Sequence, residues 1–171
     1  MGHWHNKHWF STYVDSSGSV FYQCLAAVKT AIQNIGLSGV ADASIVVKKL
    51  PLERVKTNDG LDWPVVLITP RKTTLNRAAG DNVNDDVVYG VLVTVIAADN
   101  QESTLATNLA AYTLWLEQIR KVFHNKRLTG VNTIYGCAVE PSETVNYPAW
   151  MKNLWVSGLL LKFDSRENRG S

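Results

Sequence analysis

Three histidines, His3, His5 and His8, lie within six residues near the start of the chain. Imidazoles at this density can bind Zn²⁺ or Cu²⁺, particularly where the backbone adapts to the metal. The first fourteen residues contain no carboxylate or cysteine to complete a site. The pattern therefore favours incidental metal affinity over a metal centre, and a small metal-binding module is kept only as an alternative function.

The two cysteines are the next candidates for chemistry. Cys24 falls beside the apolar stripe of a predicted helix, and Cys137 falls within a predicted strand, which is typical of small buried hydrophobes. His124 is the only histidine beyond the first eight residues that could act as their base. The glycine spacings match neither a dinucleotide fingerprint nor a phosphate loop. We therefore expect no enzymatic activity and no cofactor.

A polar segment, residues 70–86, carries charges of both signs, which suits docking on a protein better than following a phosphate backbone. Its charged candidates are Arg71, Lys72, Arg77, Asp81 and Asp85. Loop solubility explains the same charges equally well. Near the N-terminus, Trp4 and Trp9 are too large to leave in water, so we expect this arm to pack on a neighbour.

Composition limits the remaining classes. The chain has 171 residues, 46% of them apolar and 19% charged, with a net charge of +2. This length is sufficient for one ordinary domain, and the charge is no signature of nucleic-acid or membrane binding. Two cysteines indicate a reducing compartment, and no segment resembles a signal peptide or a spanning helix. We expect a soluble intracellular protein.

Hydrophobic periodicity predicts the elements that must position these residues. Helical spacing covers residues 19–35 and again Leu105 to Phe123, while strand signals cover residues 43–50, 64–69, 87–97, 133–140 and 154–163. The order α-β-β-β-α-β-β predicts an α+β fold, with an antiparallel or mixed sheet and both helices on one face. Residues 1–18 are predicted to be an N-terminal arm, residues 19–164 the domain, and residues 165–171 a flexible tail.

Two stretches carry a family resemblance. One is the strand at residues 88–95 with the later helix end Trp115–Arg120; the other is the closing strand at residues 153–163, followed by Arg166 and Glu167. With the element order, these stretches resemble the tail terminator (tail-completion) proteins of tailed bacteriophages. The resemblance covers roughly residues 18–167, and the N-terminal arm lies outside it.

The resemblance implies a mechanical role. Such a protein forms a ring, usually of six copies, that caps the tail tube, ends its polymerisation and presents a surface to the head–tail connector. The implied partners are further copies, tube protein and connector proteins, with genomic DNA only as cargo in the lumen. The implied location is the neck of the virion, after assembly in the host cytoplasm. Segment 70–86 is then the expected axial contact, anchored by Arg71, Lys72 and Arg77. The nearer alternative is another neck component, a head–tail joining or stopper protein.

Overall fold

Helix α1 (Val20–Ile35) begins one residue after the predicted start and ends at the predicted residue. The Ser19 side chain accepts a hydrogen bond from the Tyr22 backbone N–H at 3.3 Å, and Gly36 ends the helix in the left-handed conformation at φ 65°. These are observations on a computed structural model, which describes residues 18–49, 63–76, 83–99, 108–141, 146–150 and 153–168. Leu25, Val28 and Ile32 are buried at a spacing of three and four residues, and Cys24 is buried beside Leu25.

Helix α2 (Leu109–Phe123) confirms the second periodic stretch from Leu109 onwards. Tyr112, Trp115, Ile119 and Phe123 form its buried stripe. Leu109 is exposed, although the helical spacing from Leu105 to Phe123 predicts it on that stripe. Leu105 lies outside the described residues.

The five strands form one mixed sheet. They are β1 (Ile45–Val47), β2 (Val65–Leu75), β3 (Asn84–Ala98), β4 (Ile134–Pro141) and β5 (Leu154–Asn168). Their order in the sheet is β1-β2-β3-β5-β4; β1 pairs with β2 in parallel, and all other pairs are antiparallel. A short helix, α3 (Tyr147–Trp150), precedes β5. The predicted α+β class is confirmed.

Both long helices pack on one face of this sheet. Alternate residues of the central strands, including Val93, Leu159 and Phe163, join the buried residues of α1 and α2 in one core. Tyr112 stacks on Trp155 with ring centroids 4.4 Å apart. A smaller cluster on the other face contains Val65, Leu67, Ile96 and Val156, with Ala149 of α3 packed against it.

The structure corrects two predicted boundaries. Strand β5 continues through Asn168, so residues 165–168 are paired strand, where the sequence indicated a flexible tail. Strands β2 and β3 likewise extend into segment 70–86, where the sequence indicated a loop. In both places polar residues keep strand geometry because their backbones pair across the sheet while side chains on the outer positions face water.

Candidate docking surface on the distal hairpin

Strands β2 and β3 form a hairpin. We call its end next to the connection between the two strands, residues 71–76 and 83–90, the distal hairpin. Leu75 pairs with Val87 at its far end, and β5 flanks β3 along the whole length, from Ala98 opposite Leu154 to Asn84 opposite Asn168. Because β3 is paired on both sides and β5 pairs in turn with β4, from Ile134 opposite Ser165, this part of the hairpin belongs to a four-stranded sheet. It therefore has a rigid base on which to present its side chains.

A β-bulge places two cations side by side on the hairpin. Pro70 pairs with Val91 and Thr73 pairs with Tyr89, so Arg71 and Lys72 together oppose the single residue Gly90. A Cβ atom at Gly90 would lie 2.8 Å from the Lys72 carbonyl oxygen and 3.1 Å from Arg71 Cβ. Only glycine allows this close approach without a shift of the backbone. Both cationic residues are exposed.

A two-pronged ion pair joins the distal hairpin to β5. Arg166 lies directly opposite Asp86, and its Nε and Nη2 atoms donate to the two carboxylate oxygens at 2.8 and 2.9 Å. Asp86 is only 5% exposed, whereas the Arg166 side chain is 56% exposed. This geometry stabilises the pairing of β3 with β5 near the start of β3.

A hydrogen-bonded cluster on the helix-side face holds the end of β5. The Tyr89 hydroxyl donates to Glu167 Oε1 at 2.6 Å, and the Ser165 hydroxyl donates to the same oxygen at 3.1 Å. Burial, and then the Glu167 carboxylate, raise the pKa of Tyr89 well above its ordinary value. The Tyr89 ring also stacks on Phe21 at 4.9 Å, which connects the hairpin to α1.

Two large apolar side chains are exposed to solvent at the end of the distal hairpin. Leu75 is 60% exposed although it is the last paired residue of β2, and Val83, directly before β3, is 57% exposed. Exposed aliphatic residues beside cations form the mixed apolar and polar surface that protein interfaces use. The distal hairpin therefore combines a rigid frame with a surface suited to docking.

The structure brings together only part of the predicted site. Arg71 and Lys72 lie on the bulge, and Asp85 lies half-buried in β3 opposite Glu167. The other candidates lie outside the described residues: Arg77, Asp81, Trp4, Trp9, His3, His5 and His8. Across the described part of the chain, no three His, Cys, Asp or Glu residues are grouped as a metal site.

Sequence reasoning missed the bulge, the Asp86–Arg166 pair and the Tyr89–Glu167 bond. Gly90, a lone glycine within a Val-rich strand, was the available signal for the bulge. No local signal existed for the other two, because the partners are separated by about eighty residues and meet only through the register of β3 and β5.

The cysteines are buried, as predicted. Burial raises the pKa of Cys24 from 9.0 to about 12, and that of Cys137 likewise to about 12. Both thiols are therefore protonated at neutral pH, which removes the thiolate that nucleophilic chemistry needs.

No helix within the described ranges is long and apolar enough to cross a membrane. A comparison with protein-family models finds no match, and a comparison with curated proteins finds no significant match.

Proposed function

We propose that this chain is a tail terminator of a tailed bacteriophage. A ring of copies would bind the last ring of the tail tube, prevent further tube subunits from adding, and offer its other face to the head–tail connector. Tube growth would stop because the new face does not match the surface that a tube subunit recognises.

The distal hairpin is the single observation that carries this proposal. A protein that caps a cylinder needs a projecting surface that stays in place when a partner docks. The β3–β5 pairing, the Asp86–Arg166 ion pair and the stacking of Tyr89 on Phe21 supply such support. Leu75, Val83 and the bulge cations supply contact groups for tube protein.

The sheet also has the asymmetry that a ring requires. A closed ring of identical subunits uses two different surfaces on each copy. Here β1 and β4 lie at opposite edges of the sheet, and the two differ in length and in the direction of their pairing. A stable junction between neighbours would bury roughly 800 Å² on each partner.

The test is co-expression with the tail tube protein of the same phage, followed by electron microscopy of tube ends and tube lengths. The wild-type protein should cap tubes at a defined length. The double variant Leu75→Asp, Val83→Asp should leave tubes overlong, because two charges would be desolvated at the docking surface. Leu114→Asp is the matched control, since Leu114 is an exposed leucine on α2, away from the hairpin.

Three results would contradict the proposal. Wild-type protein that never binds tube ends would exclude a terminator, and binding to the connector alone would indicate a joining or stopper protein. If the double variant still caps tubes at the wild-type length, the distal hairpin is not part of the docking surface.

A further inference from the structure

A groove runs along α1, and its opposite wall is formed by Val122 near the end of α2 and by Thr129 and Gly130 after it. Its volume is about 810 Å³, and its apolar walls include Ala27, Ala31, Ile35 and Val122. Its described lining contains no charged side chain. A groove of this size and composition can bury several apolar side chains, since small-molecule pockets span roughly 300–1,000 Å³.

Small residues keep this groove open. Ala27 and Ala31 pack against the core with half-buried side chains, and Ala26 forms the exposed rim one position earlier. Larger side chains at these three positions would fill the space between the helices. The surface therefore accepts bulky apolar groups from elsewhere.

The chain supplies such groups immediately before α1. Residues 1–17 lie outside the described residues and lead directly to the Ser19 cap. They include Trp4, Trp9, Phe10 and Tyr13, with Lys7 and Asp15 as the only acidic or basic residues apart from the histidines. An aromatic segment with so little charge matches an uncharged groove, and burying its rings is favourable.

The distances allow the segment to reach the groove of its own chain. The α1 lining extends from Gln23 to Ile35, which is about 18 Å along a helix. Residues 4–13 span up to about 30 Å when extended. The run Asp15-Ser16-Ser17-Gly18 is rich in turn formers, which suits a reversal of the chain before α1. Docking within one chain also avoids the loss of translational freedom that docking between copies requires.

We propose that the N-terminal arm folds back along α1 and seats its aromatic residues in the groove between α1 and α2 of the same chain. This inference does not depend on the terminator function. It assigns the arm, which lies outside the family resemblance, an intramolecular binding surface.

Limited trypsin digestion of the full-length protein tests the proposal, with mass spectrometry following cleavage after Lys7. Because cleavage follows the population of undocked arm, Ala26→Glu should raise the rate about tenfold by placing a charge at the groove rim. Ala111→Glu is the matched control, since Ala111 is an exposed alanine on α2 outside the groove. Trypsin should cleave this control variant at the wild-type rate.

A second variant tests the other side of the contact. Trp4→Ser combined with Trp9→Ser leaves both helices unchanged and should accelerate the same cleavage by a similar factor. Equal rates for wild type and both test variants would overturn the proposal. Protection that strengthens over about a hundredfold rise in protein concentration would also overturn it, because that result places the arm on another copy.

Discussion

At the scale of single residues, burial decides which charged contacts matter. Arg166 pairs with a carboxylate that is almost fully buried, whereas Lys162 and Glu140 form a pair in which both side chains are largely exposed. Water screens the second pair far more effectively than the first. Both cations lie on β5, while Asp86 lies on β3 and Glu140 on β4.

Arg166→Gln should lower the free energy of unfolding by about 1–3 kcal/mol, because Asp86 would lose two charge-assisted hydrogen bonds while remaining buried. Lys162→Gln is the control and should cost less than about 1 kcal/mol. Urea unfolding followed by circular dichroism measures both values. Equal losses for the two variants would contradict this ranking.

The cysteine thiols give the protein a pH dependence on the alkaline side. Their pKa values are raised on folding from 9.0 to about 12, so the folded state holds these protons more tightly than the unfolded state. Their contribution to stability is complete below pH 9 and is lost as the pH rises towards 12. Tyr89, whose pKa is also raised, acts in the same direction.

Unfolding free energy measured anaerobically should therefore fall between about pH 9 and pH 11. The variant Cys24→Ala, Cys137→Ala should show a shallower fall over the same range, although its stability at pH 7 is lower because of the two cavities. Parallel curves for the variant and the wild type would show that thiol ionisation does not contribute.

At the scale of elements, the distal hairpin depends on one feature of its own strand β3 and on one feature of β5. The bulge at Arg71 and Lys72 requires a glycine on the neighbouring strand, and the far end of β3 requires the last residues of β5. Each feature can be removed by a single change.

Gly90→Ala should destabilise the protein by about 1–3 kcal/mol, because the added methyl group would lie 2.8 Å from the Lys72 carbonyl oxygen. Gly18→Ala is the control, since a Cβ atom there meets nothing within 4 Å. It should change stability by less than about 0.5 kcal/mol. Thermal unfolding of both variants provides the comparison, and a neutral effect of Gly90→Ala would argue against the bulge.

A chain that ends at Phe163 should lose about 3 kcal/mol or more, because it lacks the Arg166 ion pair, the Glu167 hydrogen bonds and the last strand pairs. That loss corresponds to a fall in Tm of roughly 6–12 °C for a chain of this size. A chain that ends at Asn168 keeps all of β5 and should retain the wild-type Tm. Similar Tm values for both truncations would show that residues 164–168 contribute no stability, as expected of a flexible tail.

At the scale of the whole molecule, the charge distribution bears on whether the proposed ring would bind DNA or only enclose it. A ring that grips DNA needs a concentration of basic residues, whereas one that only encloses passing DNA does not. The chain has 17 basic and 15 acidic residues, which leaves a net charge of +2. The cations of the bulge stand beside strands that also carry Asp86, Asp164 and Glu167. This balance favours protein partners over phosphate.

Duplex DNA should therefore bind with a Kd weaker than about 10 µM at physiological salt, near the weak end of non-specific binding. Fluorescence anisotropy with a labelled duplex measures this, and a salt titration counts the phosphates contacted. Arg71→Ala with Lys72→Ala should change the result little. Tight, steeply salt-dependent binding that this pair of substitutions abolishes would assign the bulge to DNA instead.

Local sequence patterns predicted both long helices, the two ends of α1 and the existence of all five strands. The apolar stripes of α1 and α2, the Ser19 cap and the Gly36 end are properties of neighbouring residues, and neighbouring residues are sufficient to specify them. The burial of Cys24 and Cys137 followed from the same local pattern.

Tertiary structure alone decided how far the strands extend and which residues meet at the distal hairpin. Residues 71–74, 84–86 and 164–168 are polar, yet they lie in strands because β3 pairs with β2 on one edge and with β5 on the other. The pairing of Asp86 with Arg166 and of Tyr89 with Glu167 depends on the register between segments about eighty residues apart. Such contacts depend on how the chain folds as a whole, because no local pattern encodes which distant backbone will lie alongside.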